Sequence, residues 1–331
     1  MVWYVDTRRA IGKYVGHGVR GRPVVENNLG NQTRLMAFDC MRLEKPDVRR
    51  GPNWEYLPKR ALIQQPKPSE KEALRRLLSR RIPPGPTYIE LVEEIWGRGY
   101  EVYVVGGTVR DVLAGEQPHD VDLVTTMPIA RLRPLLKTMF RDEIGGSDEN
   151  GYARLGGKGV HGDPFIDLKL FCHGDSGTPD ALFGADFLLD VSHRDFACNS
   201  VYYDPINEVL IDPTGRGISD AEKMLLHVVC DPQLRRPAAV GQVSLRYFKF
   251  LLRGFQPTAA TRKVIEEKFI PCLSALTDAD RLGYIKRQIF GKLAASEHAD
   301  AKARLEAEVK SCTVTGLWNE CFEPICGEMC T

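Results

Sequence analysis

A short segment that joins a predicted strand to a predicted helix through two glycines constrains this chain most. Residues 101–105 form an apolar, strand-like run, Gly106 and Gly107 follow, and residues 108–114 have a helical pattern. Glycine lets the backbone approach a ligand closely, and the free N–H groups of the helix N-terminus that follows attract anions. The segment therefore predicts a phosphate cradle in a mixed α/β unit.

A pair of aspartates follows in the next predicted strand. Asp120 and Asp122 lie two residues apart in the strand predicted over residues 119–124, so their side chains are expected on one face. Two such carboxylates would hold divalent metal ions that neutralise a triphosphate and activate a 3′-hydroxyl. A Gly-Gly turn alone is most often only a turn, and an Asp pair alone is most often a solvated strand end. In this order and at this spacing, they predict a nucleotide-transfer site.

Several motifs together carry a family resemblance. The run GGTVRDVLAGEQPHDVDLVTTMP resembles the signature of the head of class II tRNA nucleotidyltransferases (CCA-adding enzymes) and bacterial-type poly(A) polymerases. Residues 190–200 are similar to that family's Asp-x-x-Arg-Arg-Asp-Phe-Thr-Ile-Asn-Ala segment, with His193 in place of the first arginine. Residues 211–220 and 245–250 resemble the link to the neck and the first neck helix, with Lys249 in place of an arginine. The resemblance covers about residues 88–255.

The resemblance implies a fold and a site. It implies an α/β head with a polymerase-beta-like mixed sheet, followed by a mostly α-helical neck. It also implies Asp120 and Asp122 as catalytic residues and ligands of two Mg²⁺ ions, with an NTP as substrate and RNA, either tRNA or rRNA, as partner. Asp167 is either a third metal ligand or a strand-end carboxylate facing water. The nucleotide-binding residues implied are Gly106, Gly107, Arg110, Asp111, Arg194, Asp195, Asn199 and Arg246.

Other positions depart from the family pattern. Family members select ATP or CTP with a Glu-Asp-x-x-Arg template, and the corresponding positions here hold Ala239, Val240 and Val243. None of these side chains can donate or accept a hydrogen bond, so the base-selecting template is predicted to be lost. The arginine of the family's Thr-Phe-Arg segment is replaced by Cys172, and the chain is expected to end before the family's RNA-gripping body and tail.

Composition divides the chain into segments. Residues 1–82 hold 18 Lys/Arg against 8 Asp/Glu, although the whole chain carries a net charge of only +1. This asymmetry is typical of a basic arm that binds a polyanion, and equally of a solvated leader. The expected segments are an extended basic arm (1–68), a helix with a Pro-rich linker (69–86), the head (87–218), a helical neck (219–293) and a short helical, Cys-containing tail (294–331).

Two principal hypotheses about function follow. The first is an RNA 3′-end nucleotidyltransferase with loose base choice. The second is an inactive relative that serves as an RNA-binding structural subunit of a ribonucleoprotein such as an organellar ribosome, with protein partners bound through the arm. A nucleotidyltransferase with another acceptor is a third, weaker option. The basic, acid-poor N-terminus favours a mitochondrial or other organellar matrix, with the cytoplasm as the alternative. No apolar run of about 18 residues predicts a membrane span.

Overall fold

The computed structural model describes most of residues 60–323. The gaps are residues 83–84, 119, 141–143, 149, 156–165, 174–181, 184–186 and 292–294. Before residue 60 it describes Leu57 and the backbone of five strands, and Cys326 and Cys330 of the predicted tail lie outside the described residues. Chain contacts divide the protein into Met1–Glu222 and Lys223–Thr331.

Five strands lie within the segment predicted as an extended arm. They pair antiparallel, and the second of them also pairs with a short strand near residue 183, so a seven-stranded sheet forms with the order β12-β13-β2-β1-β5 and with β3 and β4 beside β2. The sequence analysis did not predict these strands, because they are short, lack alternating hydrophobicity and pair with a segment distant in the chain. They are β1 (Trp3–Asp6), β2 (Arg9–His17), β3 (Pro23–Glu26), β4 (Gln32–Arg34), β5 (Met41–Leu43), β12 (Cys172–His173) and β13 (Leu182–Phe183).

An eight-stranded mixed sheet forms the centre of the first unit. Its order is β6-β15-β14-β7-β8-β11-β10-β9, and only β8 and β11 run parallel to each other. Apolar side chains of β7, β8 and β11 are buried, which is the usual condition of central strands. The strands are β6 (Leu62–Gln64), β7 (Val102–Val105), β8 (Val121–Thr125), β9 (Gly145–Ser147), β10 (Tyr152–Leu155), β11 (Ile166–Leu170), β14 (Tyr202–Asp204) and β15 (Val209–Asp212).

Six α-helices accompany this sheet. The second begins after Thr87, whose hydroxyl accepts from the Glu90 N–H while the Glu90 carboxylate accepts from the Thr87 N–H at 2.7 Å. Ser69 and Glu72 have the same spacing in the sequence, but they do not cap the first helix. That helix starts at Pro68 with Lys67 as its N-cap, because Pro68 fits the first turn and Glu70 accepts from the Lys67 N–H. The helices are α1 (Pro68–Leu78), α2 (Tyr88–Gly97), α3 (Gly107–Leu113), α4 (Ile129–Phe140), α5 (Phe187–Ser192) and α6 (Gly217–Glu222).

The second unit is mostly helical. Two short strands, β16 (Leu225–Leu226) and β17 (Gln256–Pro257), pair parallel beside the longest helix, α7 (Pro237–Leu252). Further helices are α8 (Ala259–Val264), α9 (Asp278–Tyr284) and α10 (His298–Lys310). The prediction of an α/β head followed by a helical region is therefore confirmed. No helix in the described part of the chain is long and apolar enough to cross a membrane.

Candidate active site

The two glycines form the turn between β7 and α3. Gly106 has φ 71° and ψ −134°, a conformation open in practice only to glycine. A Cβ atom added at Gly106 would lie 3.1 Å from Oδ2 of Asp122, and one added at Gly107 would lie 3.6 Å from the same oxygen. The added Cβ of Gly107 would also lie 3.4 Å from Nη2 of Arg110. The turn, Asp122 and Arg110 therefore meet at one place.

The two aspartates occupy the start of β8. Asp122 is half-buried within the strand, and Asp120 precedes it and is exposed. Burial, and after it the negative charge of Asp120, raises the pKa of Tyr88 to about 12.

Thr108 ties this segment to the helix. Its hydroxyl donates to the carbonyl oxygen of Asp120 at 2.9 Å and accepts from the N–H of Asp122 at 2.9 Å. The hydroxyl is buried and fixes the backbone of both aspartates against the first turn of α3. Sequence reasoning missed Thr108.

The close contact at Gly106 leads to a stability prediction. Gly106→Ala is expected to lower the free energy of unfolding by about 1–3 kcal/mol, since alanine there has a strained backbone and displaces the Asp122 carboxylate. Gly115→Ala is the matched control, because Gly115 also has a positive φ of 77° but nothing lies within 4 Å of an added Cβ. Urea unfolding of both variants measures the difference, and equal losses would contradict the crowding at Asp122.

Residues from two distant motifs join in one buried network. The Arg110 guanidinium donates to Oδ1 of Asp111 from Nε at 2.8 Å and to Oδ1 of Asn199 from Nη1 at 2.6 Å. The amide of Asn199 donates in turn to Oδ1 of Asp195 at 2.8 Å. Arg110, Asp195 and Asn199 are all buried. Four of the predicted nucleotide-binding residues thus form one chain of hydrogen bonds beside the glycine turn.

Arg194 belongs to a neighbouring cluster. Its guanidinium forms an ion pair with Asp190 at 2.7 Å and lies 5.0 Å from the ring centre of Tyr202, and its side chain is 19% exposed. The Tyr202 hydroxyl and the backbone N–H of Cys172 also donate to the Asp190 carboxylate. Burial lowers the pKa of Arg194, but Asp190 outweighs that effect and the pKa is raised. This cluster anchors the segment that carries Asp195 and Asn199.

Asp167 lies on the strand next to Asp122. The two residues are register partners in the parallel pair β8–β11. The Asp167 carboxylate accepts from Nε of Arg154 at 2.9 Å and from Nη2 at 3.2 Å. Within the described residues, no group of three or more His, Cys, Asp or Glu side chains is arranged to hold a metal ion. Asp167 as a third metal ligand stays a prediction.

The remaining predicted positions lie in the second unit. Arg246 is exposed on α7. At the positions of the base-selecting template, Val240 and Val243 are buried at 1% and 2% exposure, and Ala239 is half-buried. The valine side chains are therefore part of the core of this unit.

Comparison with known proteins agrees with this arrangement of motifs. A family model described as the poly A polymerase head domain matches residues 102–227. Poly(A) polymerase I of Salmonella typhi is 30% identical over 152 residues, which cover 41% of this chain and 31% of that protein. The CCA-adding enzyme of Geobacillus thermodenitrificans is 28% identical over 190 residues, which cover 55% of this chain and 44% of that enzyme.

A solved structure shares the fold of the head domain and the helical region. The Thermotoga maritima CCA-adding enzyme complexed with tRNA superposes with a TM-score of 0.51 at 19% identity and covers 74% of this chain and 55% of that one. At this identity the likeness concerns the fold. The chain spans less than half the length of the curated relatives named above.

Proposed function

We propose that this protein is an RNA 3′-end nucleotidyltransferase that transfers NMP from an NTP to an RNA 3′-hydroxyl with little choice of base. One observation carries the proposal: the glycine turn, Asp122 and the Arg110–Asn199–Asp195 network come together from segments that are far apart in the chain. A carboxylate in close contact with a glycine turn at a helix N-terminus is typical of a site that binds a metal ion and phosphates. The curated relatives named poly(A) polymerase and CCA-adding enzyme support the reaction class.

The residues of this site fit a divalent metal. Carboxylate oxygens are the ligands that Mg²⁺ prefers, and the side chain missing at Gly106 leaves room beside Oδ2 of Asp122. Asp120 and Asp122 are the residues that would hold Mg²⁺, which when bound neutralises triphosphate charge and activates the attacking hydroxyl. The glycine turn and the first N–H groups of α3 would bind the phosphates, and Arg110 holds Asn199 and Asp111 beside the turn.

The buried valines support weak base choice. Val240 and Val243 lie in the core of the second unit and carry no hydrogen-bonding group, so these positions cannot read the polar edge of a base. A protein without a base-reading side chain at these positions is expected to discriminate weakly between ATP and CTP.

An extension assay tests the function and its selectivity together. The purified chain is incubated with Mg²⁺, an end-labelled RNA and each of the four NTPs in turn. We expect extension, with a preference between ATP and CTP below about tenfold, which corresponds to 1.4 kcal/mol. An RNA with a 3′-deoxy end is the control and is not extended. A preference of about a hundredfold or more would place a base-selecting group elsewhere.

The alternative hypothesis, an RNA-binding structural subunit, predicts a different result in this assay. The basic composition of residues 1–82 favours an RNA-binding structural subunit, because Lys and Arg bind phosphates without sequence choice. That hypothesis expects salt-dependent RNA binding and no extension with any NTP. The tRNA complex of the Thermotoga maritima enzyme makes a tRNA acceptor end a suitable first RNA for both measurements.

A further inference from the structure

Three charged residues lie side by side on three neighbouring strands of the central sheet. Asp122 on β8 is the register partner of Asp167 on β11, and Asp167 is the register partner of Arg154 on β10. Strand β11 lies between the other two. Side chains of register partners stand on the same face, so a carboxylate, a second carboxylate and a guanidinium are neighbours.

Asp167, in the middle of this row, and Arg154 form a two-pronged ion pair. Both oxygens of Asp167 accept hydrogen bonds from Arg154, at 2.9 and 3.2 Å, in the fork geometry typical of arginine and carboxylate. The Arg154 side chain is 53% exposed and that of Asp167 20%. Strands β10 and β8 flank β11 on opposite sides, so Arg154 binds Asp167 from the side opposite to Asp122.

The charges of Asp122, Asp167 and Arg154 together affect how a metal ion would bind at Asp122. Two like charges directly opposite each other on neighbouring strands repel. A divalent ion bound by Asp122 would relieve that repulsion and recruit Asp167 as a further ligand, since Mg²⁺ and Mn²⁺ both favour carboxylate oxygen. Arg154 competes with the metal ion for Asp167, because its guanidinium neutralises the Asp167 charge and binds both carboxylate oxygens.

We propose that Arg154 is a positioning residue that holds Asp167 out of the metal site, so that Asp120 and Asp122 alone supply its carboxylates. This inference rests on the proposed function only in that a metal binds at Asp122. Arg154 thereby sets the charge of the site at two carboxylates and keeps its metal affinity low.

Binding of Mn²⁺ to the whole chain, followed by the electron paramagnetic resonance signal of free Mn²⁺, tests the proposal without any catalytic step. Arg154→Gln is expected to tighten Mn²⁺ binding roughly 3- to 10-fold, the effect of one partly screened charge released beside the site. Asp167→Asn is expected to weaken binding by a similar factor, because it removes the negative charge that offsets the Arg154 charge near the site. The double variant replaces an ion pair by two neutral side chains and is expected to lie within about twofold of the unmodified chain.

Lys169→Gln is the matched control. Lys169 is exposed two residues along β11, so this substitution removes the same charge without releasing a carboxylate. We expect a change in Mn²⁺ affinity below about twofold, as screening reduces the effect of an exposed charge.

Two results would overturn the inference. If Asp167 is a ligand already, Asp167→Asn and the double variant lose affinity equally while Arg154→Gln changes little. If Mn²⁺ binding is unaffected by Asp122→Asn, the metal is elsewhere and the inference fails with it. A chain that shows the expected Mn²⁺ pattern but extends no RNA would contradict the proposed function and leave the role of Arg154 standing.

Discussion

Replacing Asp122 by asparagine is expected to lower nucleotide transfer by at least about a thousandfold, which corresponds to about 4 kcal/mol of lost transition-state stabilisation. Asparagine keeps the shape of the side chain but removes the negative charge that a divalent ion requires. The Asp122 carboxylate lies beside the glycine turn, so no other described side chain of β8 can replace it. Asp120→Ala is expected to have an effect of the same order.

Turnover and folding must be measured on the same preparation. Asp122 is half-buried and Asp120 exposed, so neither substitution removes core packing, and the unfolding midpoint is expected to change little. Asp148→Asn provides the control, because Asp148 is an exposed carboxylate of the same unit and is paired with Arg133. Substantial transfer activity in Asp122→Asn would exclude a metal-dependent mechanism at this position.

Replacing Asp190 by alanine is expected to destabilise the first unit by about 3–5 kcal/mol, because the substitution leaves the Arg194 guanidinium buried without its charged partner. Asp190 is 5% exposed and accepts hydrogen bonds from Arg194, from the Tyr202 hydroxyl and from the N–H of Cys172. Loss of this carboxylate therefore releases both α5 and the segment that carries Asp195. Urea unfolding measures the change in free energy.

Two further substitutions separate the charge from the packing at this cluster. Tyr202→Phe keeps the stacked ring but removes the hydroxyl that donates to Asp190 and accepts from Arg194, so a loss of about 1.5–3 kcal/mol is expected. Glu94→Ala breaks the exposed ion pair with Arg98, which joins residues four apart on α2, and is expected to cost less than about 1 kcal/mol. Similar losses for Asp190→Ala and Glu94→Ala would show that Asp190 and Arg194 do not form a buried pair.

Some of the predicted site residues came together for local reasons and others through the tertiary fold. Gly106, Gly107 and Arg110 lie on one strand-turn-helix segment, and that geometry is fixed by backbone sterics over a few residues. Asp122 follows on the adjacent strand. Asn199 reaches Arg110 from 89 positions away, and its place was implied by the family resemblance rather than by spacing.

Contacts made through tertiary structure escaped the sequence analysis. No sequence pattern marks Thr108. Its hydroxyl bonds to backbone groups of Asp120 and Asp122, and the tertiary fold alone places these groups beside it. The sequence does not distinguish Arg154 from other arginines in strands. Only the register of β10 and β11 places it opposite Asp167. Val240 and Val243 were predicted to be unable to read a base, but only the packing of α7 showed that they lie in a core.

The sequence by itself determined the α/β head, the order of its strand-turn-helix elements, the glycine turn and the two aspartates that follow it. These features depend on short-range periodicity and on the backbone freedom of glycine, both of which are written in neighbouring residues. Only the tertiary structure decided which polar and charged groups face each other: Arg110 with Asn199, Arg194 with Asp190, and Arg154 with Asp167 beside Asp122. The first two pairings depend on how helices and loops pack beside the sheet. Strand register sets the third, since a shift of one residue in β10 would turn Arg154 to the other face of the sheet.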